Sequence, residues 1–169
     1  SHTEVLMSFA LTQPAWIGNG HWMRVYVAYW QEIDSIMSLP PGERMQGFVL
    51  LNTGSGRAAP PPSGPPPDWI AKRPAGLDAM TRAFRRYDLD TEKLRRFQKP
   101  VYLAVGGLSH PVERRKAEKL AAIFPSFRMD LYQDRHHLDP PQRAEPTRFA
   151  RALRELWGRA EREKVGMAA

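Results

Sequence analysis

Cysteine is absent from the 169-residue sequence. Its absence excludes disulfide bonds, thiolate nucleophiles and thiolate metal ligands, and it favours a cytoplasmic location, where disulfides are rare. A run of about 20 apolar residues is also absent, so the sequence predicts no transmembrane helix and no membrane partner. Residues 1–16 lack the basic start and apolar block of a secretion signal.

The charge balance is moderately basic, with 25 Lys and Arg against 18 Asp and Glu and a net charge of +7. The basic side chains are interleaved with glutamates, as in VERRKAEK (112–119) and RALRELWGRAEREK (151–164). Such interleaving is typical of solvated helix faces, so no nucleic-acid partner is predicted. No phosphate-cradling or dinucleotide motif is found, and no cofactor is predicted.

The clearest secondary-structure signals follow Lys99. PVYLAV (100–105) is a continuous apolar run, typical of a strand buried on both faces of a parallel sheet. VERRKAEKLAAIF (112–124) has the spacing of an amphipathic helix, and its expected inward residues are Ala117, Leu120, Ala121 and Phe124. FRMDLYQ (127–133) alternates as a strand. Pro146 suits the first turn of a last helix, whose expected inner stripe is Phe149, Leu153, Leu156, Trp157 and Ala160. This order predicts an α/β fold with a mostly parallel sheet and flanking helices.

The N-terminal half carries two weaker strand signals. MRVYVAYW (23–30) alternates with period two and predicts a strand, although its continuation fits a helix equally well. QGFVLLN (46–52) is a short apolar run that predicts a second, buried strand.

Proline dominates the segment between these strands and Lys99. RAAPPPSGPPPDW (57–69) cannot supply the backbone donors that a sheet or helix needs. Helices are predicted over 77–87 and after an N-cap at Asp90. The sequence therefore predicts a single domain over residues 1–169, with 57–96 as a Pro-rich, cap-like excursion.

Two polar loops follow the two C-terminal strands. GGLSHP (106–111) comes after the first strand, and YQDRHHLDPP (132–141) comes with the end of the second. Ligand-handling loops in parallel sheets lie at the carboxyl ends of the strands. A neutral imidazole in such a loop can take a proton from a hydroxyl and return it to a leaving group.

The run from Phe97 to Trp157 resembles the C-terminal half of an α/β-hydrolase. The resemblance implies that the strand opened by Pro-Val ends in the turn of the catalytic acid, and that the loop after the next strand carries the catalytic histidine. It places that histidine at His137, with His136 as the alternative. It also implies that GFVLLNTG (47–54) is the preceding strand of the sheet.

The position that the family gives to its acid falls on His110. An imidazole cannot provide the fixed negative charge that stabilises an imidazolium. Asp134, Asp139 and Glu113 are the alternative sources of the carboxylate.

The serine nucleophile of the family is not found at its usual motif, because the G-x-S-x-G elbow is absent from this sequence. Ser109 lies at the expected edge of the sheet, Ser55 follows a predicted strand, and GNGHWM (18–23) has Trp22 where the serine would stand. The chain is shorter than the complete fold requires. A shortened, open sheet predicts an uncovered edge and hence self-association into a homo-oligomer.

The histidine loop has a metal site as its alternative use, since imidazole and carboxylate suit zinc, manganese or iron. The ligands would be Asp134, His136, His137 and Asp139. Adjacent histidines in an extended segment point to opposite sides, and no H-E-x-x-H pattern supplies remote ligands, so no metal site is predicted.

The sequence thus predicts a shortened, α/β-hydrolase-like protein with a small-molecule substrate. The expected reaction is hydrolysis of a small ester or related apolar compound, with His137 as general base and attack by a serine or by water. The alternative is a non-catalytic binding or scaffold protein on the same frame.

Overall fold

The computed structural model describes residues 6–12, 14, 26–54, 72–87 and 89–166. Within these residues there are three strands and seven helices. The strands are β1 (Phe9–Thr12), β2 (Val101–Gly106) and β3 (Phe127–Tyr132). The helices are α1 (Val27–Met37), α2 (Pro41–Thr53), α3 (Arg73–Arg86), α4 (Thr91–Arg95), α5 (Pro111–Ile123), α6 (Pro141–Ala144) and α7 (Pro146–Gly166). No described helix is long and apolar enough to cross a lipid bilayer.

The three strands form one parallel sheet in the order β1-β2-β3. Val101 is paired with Phe9 on one side and with Phe127 on the other. Parallel neighbours need a crossover connection, which α5 provides between β2 and β3. The described part of the crossover between β1 and β2 contains α1 to α4. The predicted α/β fold with a parallel sheet and flanking helices is confirmed.

The central strand β2 is buried along its whole length because helices cover both faces of the sheet. Successive side chains of a strand point to opposite faces. One face packs against α5, in a cluster of Phe97, Val101, Leu103, Val105, Ala117, Leu120 and Phe124. The other face packs against α7, in a cluster of Tyr102, Ala104, Tyr132, Ala152 and Leu156.

The predicted elements after Lys99 are confirmed as β2, α5, β3 and α7, with one error in a helix face. Trp157 was expected on the inner stripe of α7, but 52% of its surface is exposed. The buried line runs instead through Ala152, Leu156 and Ala160, each four residues from the next. That spacing keeps side chains on one side of a helix.

Both strands predicted in the N-terminal half are wrong. Residues 26–30 of the first lie in or just before α1, while 23–25 lie outside the described residues. Residues 46–52 lie in α2. A short apolar run fits a strand or a buried helix equally well, and tertiary burial decides between them. The buried apolar residues at and just before α1 follow helical spacing, and they are Tyr26, Tyr29, Trp30 and Ile33.

The strand that pairs with β2 from the N-terminal side is β1, which the sequence did not predict. It has only four residues and its burial alternates between half-buried and exposed, so it gives little signal. The assignment of 47–54 to the sheet is therefore wrong.

The predicted N-cap at Asp90 is confirmed, since its side chain accepts a hydrogen bond from the Lys93 backbone N–H at 3.1 Å. The single-domain boundary and the cap-like limits 57–96 stay predictions.

Truncation of the sheet core is expected to destabilise the protein strongly. Leu103→Ala leaves a cavity between β2 and α5 and should lower the free energy of unfolding by about 2–5 kcal/mol. The matched control is Leu50→Ala, which removes the same atoms from an exposed site on α2 and should change it by less than about 0.5 kcal/mol. Urea denaturation measures both, and equal losses would contradict this packing.

Candidate functional site

The two loops predicted to handle a ligand meet at the carboxyl ends of β2 and β3. The Leu108 N–H donates to the Arg135 carbonyl at 2.9 Å, which ties the turn after β2 to the histidine loop. At Gly106, a Cβ atom would lie 2.5 Å from that same carbonyl. Only glycine permits this close approach, so the glycine turn sets the position of the histidine loop.

A partly open cavity of about 50 Å³ lies beside these loops, between α1, α2, α3 and α5. Its apolar wall includes Trp30, Ile33, Phe48, Met80 and Phe84. Its polar wall consists of Tyr29, Asn52, Thr81, Glu113, Lys116 and His137. Apolar walls with a few polar groups are typical of small-molecule sites.

A buried ion pair on α5 forms the base of this cavity. The Lys116 Nζ donates to Glu113 Oε1 at 2.8 Å and to the Pro14 carbonyl at 2.5 Å. Only 4% of the lysine side chain and 6% of the glutamate side chain are exposed. Burial lowers the pKa of Lys116, because the ammonium is removed from water, and the adjacent carboxylate partly offsets this effect.

The interleaved charges of α5 predict a solvated helix face, and this prediction is wrong for Lys116, which is buried. The signal was present, because Glu113, Lys116, Ala117 and Leu120 follow the i, i+3, i+4, i+7 spacing of one helix stripe. All four are buried. Ala121, which was expected to face inward, is exposed.

His137 projects from the histidine loop into the cavity wall, where 21% of its side chain is exposed. Its Nδ1 lies 3.8 Å from Glu113 Oε1. That separation is too long for a hydrogen bond but close enough for a charge contact once the ring is protonated. Burial lowers the pKa of His137; Glu113 opposes this shift, while Lys116 and His136 add to it. The imidazole is therefore neutral near pH 7 and can accept a proton.

His136, the alternative base, occupies a different environment. Its side chain is buried, and its Nδ1 accepts a hydrogen bond from the Leu138 backbone N–H at 3.1 Å. Of these two neighbouring histidines, His137 is the one that lines the cavity. The structure thus distinguishes the environments of His136 and His137, which the sequence could not do.

His110 and Ser109, the other two predicted site residues, lie in the turn before α5. His110 is the N-cap of α5, since its Nδ1 accepts from the Val112 N–H at 3.1 Å. Its Nε2 lies 3.4 Å from Glu32 Oε1, beside a second cavity of about 230 Å³. The Ser109 N–H donates to the Gly106 carbonyl at 3.2 Å. Neither residue lines the cavity that holds His137.

The nucleophile predicted from the resemblance is not found in this cavity. No serine is among its described lining residues, and Ser55 and 18–23 lie outside the described residues. The Thr81 hydroxyl donates to the Leu77 carbonyl at 2.8 Å. Burial raises the pKa of the Tyr29 hydroxyl well above its ordinary value, so that hydroxyl stays protonated.

Among the described residues, the alternative metal site gains no support from the structure, whereas one of the alternative carboxylates does. Asp139 lies 3.6 Å from guanidinium nitrogens of both Arg135 and Arg143. Across the described ranges, no group of three or more His, Asp or Glu side chains is arranged to hold a metal ion. Of the predicted alternatives Asp134, Asp139 and Glu113, the structure shows a charge contact with His137 for Glu113.

Solved structures resemble this chain, although no known protein family and no curated protein matches its sequence. A probable hydrolytic enzyme from Pseudomonas aeruginosa PAO1 superposes with a TM-score of 0.53 at 15% identity, covering 91% of this chain and 56% of that one. A carboxylesterase from Bacillus subtilis gives a TM-score of 0.47 at 14% identity, covering 89% and 50%. The chain thus spans about half the length of these proteins. It has a shortened α/β-hydrolase-like fold.

Removing one partner of the buried ion pair is expected to cost more than removing both. Lys116→Met leaves the Glu113 carboxylate buried without a counterion and should lower the free energy of unfolding by about 3–5 kcal/mol. Adding Glu113→Leu should restore a large part of that loss. Arg114→Met, which breaks an exposed pair with Glu118 on the same helix, is the control. A double variant no more stable than Lys116→Met would contradict this account.

Acid is expected to destabilise the protein through His137. The unfolded histidine takes up a proton near its ordinary pKa of 6.5, whereas the folded ring stays neutral to lower pH. The stabilising contribution is therefore complete above pH 6.5 and declines as the pH falls below it. Urea denaturation at about pH 7.5 and about pH 5.5 should show a smaller pH effect in His137→Asn than in the wild type. Equal effects would contradict the assignment.

Proposed function

We propose that the protein hydrolyses a small ester, with His137 as general base and Glu113 as the carboxylate behind it. The proposal rests on one observation: an imidazole that is neutral near pH 7 lies in the wall of a cavity, with a buried carboxylate 3.8 Å from its Nδ1. Hydrolytic sites place a carboxylate beside Nδ1 to stabilise an imidazolium, and a small movement would bring these two groups to hydrogen-bond distance. The α/β-hydrolase-like fold supports the same reaction class by analogy only.

In the proposed reaction, water is the nucleophile. The water oxygen bonds to the ester carbonyl carbon while His137 Nε2 takes its proton, and the carbonyl electron pair moves to the oxygen. When this intermediate collapses, the bond between the carbonyl carbon and the alkoxy oxygen breaks, and the departing alkoxide takes the proton from the imidazolium. Glu113 stabilises the imidazolium between these two steps. The products are the acid and the alcohol.

Water is preferred over a serine because the described wall of the cavity contains no serine. The size of the cavity also restricts the substrate. A volume of about 50 Å³ accommodates on the order of three to five water molecules. The reacting part of the substrate is therefore limited to a few non-hydrogen atoms, such as a short acyl group.

A non-catalytic binding protein is the second candidate. The absence of a serine from the described cavity wall favours it, since binding needs only the cavity and its polar groups. Both candidates use the same cavity, and turnover distinguishes them.

Hydrolysis of p-nitrophenyl acetate tests the proposal directly. The wild type should exceed the rate of the urea-unfolded chain, which measures the background from ordinary histidines. His137→Asn should reduce the excess by about 10²-fold or more, because asparagine cannot take the proton that the proposed general base removes. Glu113→Gln should reduce it by a smaller factor, since the ring remains but its counter-charge is lost.

His136→Asn is the matched control, because it makes the same change one residue away and outside the cavity wall. It should retain most of the wild-type excess rate. Equal rates for the wild type, His137→Asn and the unfolded chain would remove the hydrolase and leave the binding protein.

A further inference from the structure

Strand β3 lies at an edge of the sheet, and among the described residues no strand lies on its outer side. The Val101 N–H donates to the Ser126 carbonyl at 2.8 Å, and the Gly107 N–H donates to the Tyr132 carbonyl at 2.8 Å. Backbone groups alternate between the two sides of a strand, so the even-numbered residues of β3 face β2. The backbone N–H and C=O groups of residues 127, 129 and 131 therefore face outward.

The outer side of β3 is accessible at the centre of the strand. Met129 is 39% exposed, and Arg128 is exposed as well. Near the end of the strand, the Leu131 carbonyl accepts a hydrogen bond from the Arg148 side chain at 2.8 Å. It can accept a second one, because a carbonyl oxygen has two lone pairs. An accessible edge of this kind can pair with another strand.

The sequence of β3 is complementary to itself in the antiparallel direction. When Met129 lies opposite the partner's Met129, Arg128 lies opposite the partner's Asp130, and Phe127 lies opposite the partner's Leu131. Every outward-facing residue then meets an outward-facing residue, as an antiparallel ladder requires. The arginine and the aspartate form a pair without backbone hydrogen bonds, in which the side chains are closest. Opposite charges at such a position stabilise the pairing.

The two faces of β3 support the same arrangement. Arg128 and Asp130 lie on the α7 side of the sheet, where Arg128 contacts Asp130 at 3.2 Å and Glu155 at 2.6 Å. Phe127 and Leu131 lie on the other side, against the cluster that includes α5. A two-fold axis perpendicular to the sheet keeps each face on its own side. Charged side chains would therefore meet charged ones, and apolar side chains would meet apolar ones.

Like charges disfavour the neighbouring registers. A shift of two residues, the smallest that keeps outward-facing residues opposite each other, has two forms. One places Arg128 opposite the partner's Arg128, and the other places Asp130 opposite the partner's Asp130. Like charges directly opposite each other destabilise a strand pair. The four residues of β1, at the other edge of the sheet, carry no charge that could select a register in this way.

We propose that β3 pairs with β3 of a second copy of this protein in the register centred on Met129. The result is a two-fold symmetric dimer in which the two three-stranded sheets join into one. The pairs between Arg128 and the partner's Asp130 set the register and prevent slippage along the edge. Dimer formation is independent of the proposed hydrolysis, because no residue of β3 lines the cavity that holds His137.

Sedimentation velocity over about a hundredfold range of protein concentration tests the dimer. The wild type should change from monomer to dimer as the concentration rises. Met129→Pro removes an outward N–H at the centre of the pair and no donor of the β2 ladder. It should therefore weaken the dimer at least about tenfold. A wild type that stays monomeric throughout this range would overturn the proposal.

Ala10→Pro is the matched control at the other edge of the sheet. The Phe9 N–H donates to the Pro100 carbonyl at 3.0 Å, so the N–H of the next residue, Ala10, faces away from β2. This variant should dimerise like the wild type. Equal weakening by the two prolines in folded proteins would overturn the assignment to β3.

Charge reversal tests the register. Arg128→Asp and Asp130→Arg each place like charges opposite one another in both symmetry-related pairs, so each variant alone should associate about tenfold more weakly. The double variant exchanges the two charges and should recover the dimer.

An equal mixture of the two single variants should recover it as well, although each chain keeps its own disrupted contact between positions 128 and 130. Recovery in the mixture therefore cannot come from repair of the fold. Failure of either the double variant or the mixture to recover the dimer would overturn the register. If Met129→Pro does not fold, these charge variants decide.

Discussion

The ion pair between Glu113 and Lys116 is the interaction on which the candidate site depends. Both groups are buried on α5, the helix that covers one face of the sheet and also reaches the helical segment between β1 and β2. A lone carboxylate at this depth would be strongly disfavoured, and the lysine makes its burial tolerable. The pair places a carboxylate 3.8 Å from the imidazole of His137.

The sequence predicted the elements after Lys99 better than those before it, because the local pattern is decisive only in the second part of the chain. A continuous apolar run at 100–105 can only be buried on both faces, and the helix and strand after it follow regular periods. At 23–30 and 46–52 the local pattern was ambiguous, and the packing of α1 against α2 and of α1 against Val112 and Ile123 decided it. β1 was missed since its four residues carry no such pattern.

The candidate site was predicted in part. The position of His137 after β3 follows from the order of elements, and Glu113 was among the possible acids. The sequence could not distinguish His137 from His136, because the turn that points one ring into the cavity depends on contacts between the two loops. Nor could it bring Trp30 to the same cavity, since α1 is separated from the histidine loop by most of the chain.

The carboxylate and the imidazole of the candidate site are related in a way that bears on rate. Only interactions that strengthen in the transition state accelerate a reaction. In the proposed hydrolysis, the attraction between Glu113 and His137 meets this requirement, because the imidazole is uncharged before it takes the proton and positively charged afterwards. The ion pair between Glu113 and Lys116 is already formed before this step. Lys116 would therefore act on the burial of the carboxylate, whereas the carboxylate itself would act on the rate.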